Sequence, residues 1–79
     1  MPTVLRVGPH RFFFFSNEGN EPPHIHVEAG GQYAKFWLRP VALANAIGYN
    51  SAELGRLRVL VEAHAAVFEE WWHERFDTG

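Results

Sequence analysis

The segment Glu21-Pro22-Pro23-His24-Ile25-His26-Val27-Glu28 gathers the residue types in this chain best suited to chemistry. Two imidazoles and a carboxylate occupy alternate positions, and side chains two apart on a strand project from the same face. His24, His26 and Glu28 therefore form one row, while Ile25 and Val27 turn the other way, into a core. Pro22-Pro23 stiffens the entry, because each ring fixes φ near about −65° and biases the residue before it toward extended backbone. Histidine exchanges a proton near neutral pH and is also the commonest metal ligand. On an open sheet face outside the core, His24 and His26 can serve as general acid and base, with Lys35 or Arg39 stabilising negative charge. That set suits phosphodiester cleavage. Tyr33 and Trp37 can stack a base. The catalytic candidates are thus His24, His26 and Lys35, and the substrate-binding candidates are Tyr33, Trp37 and Arg39, with no metal and no cofactor. The competing reading is a solvated sheet face whose His–Lys and His–Trp pairs only pack across strands.

Three other constellations carry less. His24 and His26 with Glu28, Glu21 or Glu18 would make a two-histidine, one-carboxylate metal set, but the spacing supplies only one i,i+2 pair and there is no cysteine. Ala44, Gly48 and Leu54 imitate the spacing of a helix-turn-helix, yet Glu53 and Glu62 on the second helix oppose DNA. His64 falls inside an apolar helical stripe and reads as a hydrogen-bonded core residue before it reads as catalytic.

The elements that position the histidine row follow from turn chemistry and periodicity. A two-residue turn at Gly30-Gly31 suits a hairpin, since glycine accepts positive φ. It pairs Glu28 with Tyr33, Val27 with Ala34, His26 with Lys35, Ile25 with Phe36 and His24 with Trp37. Val27, Ala34, Ile25, Phe36 and Leu38 then share one face, and the polar set with Tyr33, Trp37 and Arg39 shares the other. Both strands specify the same register independently. Upstream, residues 3–7 and 11–16 form a first hairpin around Gly8-Pro9-His10, with Phe12 to Phe15 placing two rings on each face, followed by a polar loop over residues 17–23. Downstream, Pro40 opens a short helix carrying Val41, Leu43, Ala44 and Ile47 and stopped by Gly48. Ser51 caps a long helix over residues 51–76, whose stripe of Leu54, Leu57, Val61, His64, Phe68 and Trp72 recurs at three- and four-residue spacing. The expected fold is α+β: a four-stranded antiparallel sheet of two hairpins, then a short helix and a long C-terminal helix packed on one sheet face.

Seventy-nine residues make one domain, 1–79, near the low end of what buries an independent core. Trp71, Trp72 and Phe76 cannot all face one core, so a homodimer or heterocomplex is expected. The absence of cysteine fits a reducing cytoplasm, and no apolar run is long enough to span a membrane. The first fifty residues are about neutral, whereas residues 51–79 set Glu53, Glu62, Glu69, Glu70, Glu74 and Asp77 against Arg56, Arg58 and Arg75. Glu69, Glu70 and Glu74 read as a solvated face. Phosphate-driven nucleic-acid affinity needs clustered basic residues, and there is no long basic track.

The residues 3–9 (TVLRVGP), the run 11–19 (RFFFFSNEG), the stretch 21–27 (EPPHIHV) and the segment 34–38 (AKFWL) resemble a small bacterial family of domains of unknown function, the DUF4160 type. The resemblance covers nearly the whole chain and implies association with a second small protein encoded alongside, in some members as the toxin of a toxin–antitoxin pair. It assigns no catalytic residue. Small messenger-RNA-cleaving toxins, which place a histidine at the start of a hairpin strand, offer a looser analogy. The combined expectation is a cytoplasmic toxin component acting on RNA, as a metal-independent ribonuclease, through the His24/His26 face. The alternative is a non-catalytic protein-binding or neutralising (antitoxin-like) module, or a weak metal-binding domain.

Overall fold

The computed structural model describes residues 3–15 and 20–76. The expected strand end at Ser16, the loop residues 17–19 with Glu18, and Asp77 lie outside the described residues. Five strands run in the order β1 (Thr3–Val7), β2 (His10–Phe13), β3 (His24–Ala29), β4 (Gln32–Leu38) and β5 (Val41–Ile47), each antiparallel to the next. Two helices follow, α1 (Ser51–Ala63) and α2 (Ala65–Phe76). The class is α+β as expected, but the sheet has five strands rather than four.

The central hairpin has the expected register, from His24 opposite Trp37 to Ala29 opposite Gln32. Gly30 sits at φ +58, a conformation that side-chain-bearing residues resist. The first hairpin turns at Gly8-Pro9, with Val7 opposite His10 and Gly8 also at φ +58. A positive φ followed by proline is the order a type II′ turn requires. His10, expected in that turn, instead begins β2.

The short helix expected after Pro40 is the fifth strand. Val41–Ile47 pairs with β4 from Leu38 opposite Val41 to Tyr33 opposite Ile47, with a bulge at Ala44. The alanines and Leu43 favour a helix locally. Seven residues, however, are too few to sustain one unaided, and pairing satisfies the backbone edge of β4. Ala44 therefore lies in a strand, and the helix-turn-helix spacing has no structural counterpart. Gly48, at φ +84, turns the chain out of β5 toward α1, where an added Cβ would meet Gln32 at 3.4 Å.

The long helix is broken at His64. Its Nδ1 lies 2.9 Å from the Leu60 carbonyl, and its backbone N–H is shared between the carbonyls of Leu60 and Val61. A side chain that bonds its own i−4 carbonyl competes with the helical ladder. The break lets α1 lie against β4 and β5 while α2 lies against β3 and β4. The cap of α1 is Asn50 rather than Ser51: its Oδ1 accepts the Glu53 N–H at 2.8 Å, and Glu53 Oε1 accepts the Asn50 N–H at 3.1 Å. This reciprocal box satisfies two orphan donors of the helix start. Asn50→Ala should cost about 1 kcal/mol, which thermal unfolding would register as a drop of roughly 4–8 °C.

Both helices cover the same sheet face. Phe12, Phe14, Ile25, Val27, Ala34, Phe36 and Leu38 pack there against Leu57, Val61, Phe68 and Trp72. Phe12 stacks on Phe68 with ring centres 5.6 Å apart, and Phe14 meets Trp72 edge-on at 5.7 Å. His10 also lies on this face, with Nδ1 3.0 Å from the Tyr49 hydroxyl. Burial, then the charges of Glu53 and Glu28, push the ionisation of Tyr49 up. Among the described residues no helix is long and apolar enough to cross a membrane.

Candidate functional site

The opposite face of the sheet carries the histidine row. Alternation along β3 and β4 puts His24, His26 and Glu28 beside Tyr33, Lys35 and Trp37. Strand β2 adds Arg11 and Phe13 to the same face, since Arg11 pairs with Glu28 and Phe13 with His26. Ile25 and Val27 are fully buried on the other side. The expected sorting of the two faces therefore holds.

The expected exposure does not. His24 is 0% exposed and His26 is 2% exposed, so the row lies inside the protein and not on an open face. The cover is aromatic. His26 is stacked by Phe13 at 5.5 Å and Tyr33 at 5.8 Å, and is met by Phe15 at 4.4 Å. His24 contacts His26 at 5.0 Å, Trp37 at 5.5 Å and Trp72 of α2 at 4.8 Å. One helix thus reaches His24 at the end of the sheet, against the expectation that helices leave this row uncovered.

Buried polar nitrogen must find partners, and both rings have them. His24 Nδ1 donates to the Pro22 carbonyl at 2.8 Å and lies 3.7 Å from Glu21 Oε1. His26 Nδ1 lies 2.7 Å from the Tyr33 hydroxyl. The Pro22-Pro23 entry so acquires a function: it presents a carbonyl to His24, while Pro23 supplies its own carbonyl to the Leu38 N–H at 3.0 Å. A backbone acceptor on Nδ1 fixes the tautomer and puts the basic lone pair on Nε2.

Charged groups rim this cluster. Lys35 Nζ lies 2.8 Å from Glu21 Oε1 and 4.6 Å above the Trp37 ring. Arg11 bonds Glu28 at 2.8 Å and Thr3 at 2.7 Å, and its guanidinium covers Phe13 at 4.5 Å. Arg39 does not join the others. It sits in the β4–β5 turn with Nε 2.7 Å from Glu69 Oε1, an ion pair in which the N–H is not aimed at that oxygen. Glu69 is therefore tied to the sheet and not part of a solvated face, whereas Glu70 and Glu74 are exposed. Of the six sequence candidates the fold gathers five, His24, His26, Tyr33, Lys35 and Trp37, and draws Arg39 toward α2.

Sequence reasoning missed Phe13 and Phe15 as the cover of His26, and Trp72 as a wall of His24. The four-phenylalanine run signalled rings on both faces, but not that one pair would close over the histidines. Among the described residues no pocket opens beside the cluster, and no three potential ligands converge on a metal position. No curated protein and no solved structure matches the chain. Residues 10–73, spanning β2 to α2, match the family described as a domain of unknown function, DUF4160. The histidine row, the aromatic residues that bury it and both helices all fall within that match, and the chain belongs to this family.

Proposed function

We propose that the chain is a non-catalytic protein-binding component of a bacterial two-gene toxin–antitoxin pair. It holds the small protein encoded alongside it on the aromatic second face of the sheet. The observation that carries this reading is the burial of His24 and His26, with Nδ1 of each engaged. A general acid or base must come within hydrogen-bond reach of its substrate. Burial at 0% and 2% supports a role in shaping the surface over one in proton transfer. That surface presents Phe15, 38% exposed and set against His26, together with Lys35 lying over Trp37, a mixture of rings and cation that suits a protein interface.

The second reading, a metal-independent ribonuclease, draws support from the fixed tautomer of His24 and the nearness of Lys35 to the row. It requires the aromatic cover to open and RNA to replace Glu21 on Lys35.

Co-expression with the neighbouring gene product tests both. The two proteins should co-purify, and Phe15→Ala or Trp37→Ala should weaken the complex by about tenfold or more. If instead the chain alone cleaves RNA, and Lys35→Ala abolishes cleavage at an unchanged melting temperature, the ribonuclease reading replaces the binding one.

A further inference from the structure

The second sheet face extends beyond the histidine row to both edge strands. Residues opposite one another on paired strands share a face, so Arg6 of β1 joins it beside Arg11, and Ile47 of β5 joins it beside Tyr33. Its apolar members are large and reach solvent. Ile47 is 59% exposed and Phe15 38%, while Tyr33 and Trp37 are half-buried.

The charges on this face are already balanced within the chain. Among the described residues they are Arg6, Arg11, Lys35, Glu21 and Glu28, since Arg39 turns away to Glu69. Arg11 is met by Glu28 and Lys35 by Glu21, each at 2.8 Å. In both pairs the cation is the more deeply set: 18% and 19% exposed, against 45% and 46% for the carboxylates. Each cation also lies over a ring, Phe13 or Trp37. Arg6, out on the edge strand, is the one cation of this face with no ion pair among the described residues.

Burying a charge is costly unless its partner goes with it. Here Lys35 and Arg11 bring their own partners. A covering surface with carboxylates would have to displace Glu21 and Glu28 and strand two anions, and one with cations would compete with cations already in place. An uncharged surface disturbs neither pair. We propose that the partner protein covers this face with an apolar surface that sets no charged side chain over its centre, at Lys35 and Trp37; this rests on the protein-binding reading above. Any charged contact falls at the rim, at Arg6.

Calorimetric titration of the full chain with the neighbouring gene product tests the surface. Affinity should change by less than about threefold between roughly 50 and 500 mM salt, since screening acts on unpaired charges at a contact. Glu21→Gln should weaken the complex by about tenfold, because Lys35 is then covered without its carboxylate. Ile47→Lys should weaken it by about as much, by placing a new charge under an apolar cover. The double variant Glu21→Gln/Lys35→Gln should return to within about threefold of wild type, because both charges leave together. Arg6→Ala, at the rim, should have an effect below about threefold. All four variants should melt close to wild type, since half-exposed ion pairs and exposed side chains contribute little to stability.

Tighter binding by Glu21→Gln or Ile47→Lys would mean that the partner supplies carboxylates, and would overturn the proposal while the protein-binding reading stands. So would a double variant as weak as Glu21→Gln alone, or a loss of about tenfold or more over that salt range. A wild-type chain that dimerises by itself, and turns monomeric as Ile47→Lys, would put a second copy on this face and overturn it too. Absence of any complex with the wild-type chain would remove this inference and the protein-binding reading together.

Discussion

His24→Ala should lower the melting temperature by roughly 10–25 °C, corresponding to about 2–4 kcal/mol of lost stability. The ring is 0% exposed and touches His26, Trp37 and Trp72, so its removal opens a cavity where strands β3 and β4 meet α2. It also removes the Nδ1–H that the Pro22 carbonyl accepts at 2.8 Å, and the lost hydrogen bond adds to the cost. His26→Ala should behave alike, with Phe13, Phe15 and the Tyr33 hydroxyl losing their common contact. Circular dichroism melts of both variants decide the matter. Melting within a few degrees of wild type would mean that the cover moves aside readily, and would favour proton transfer by these rings.

Phe12→Ala should be more severe. Truncating a buried phenylalanine typically costs about 3–5 kcal/mol, and a 79-residue domain holds about 4–12 kcal/mol in total. Phe12 is fully buried and stacked on Phe68, so it joins β2 to α2 at the middle of the core. The variant should lose its near-ultraviolet dichroism and unfold at or near 37 °C. Phe15→Ala, three positions away, removes a ring that is 38% exposed and should cost about 1 kcal/mol or less. A contrast that large within one run of four identical residues would follow from which face each ring takes. Equal losses at both positions would refute the assignment of faces.

The hairpin carrying the histidines was legible because two signals agreed: a Gly30-Gly31 turn, and alternation on both of its strands. Residues 41–47 were not, because alanine and leucine favour a helix locally, and only the unpaired edge of β4 makes extended backbone the better choice. The break at His64 was hidden for a related reason. Its spacing fits the apolar stripe perfectly well, and the competition for the Leu60 carbonyl shows only once the ring is placed. Which face His24 and His26 occupy could be read from period two. How deeply they lie could not, since their cover comes from Phe13 at the end of β2, from Phe15 just beyond it and from Trp72 nearly fifty residues away. Arg39 departs from the row because Glu69, distant in sequence, draws it over the turn.

The two outermost strands share a property that bears on solution behaviour. β1 is five residues long, bulged at Val4, and carries Arg6; β5 is bulged at Ala44 and its Ala46 N–H is held by the Asn45 carboxamide at 3.0 Å. Exposed sheet edges invite other chains to add strand upon strand, and bulges, charges and occupied N–H groups are the devices that blunt them. For an apolar run such as Val41–Ile47, with no charge of its own, these interruptions are the safeguard against fibrillar aggregation. Replacing Asn45 would therefore bear less on the folded state than on how long the concentrated protein stays in solution.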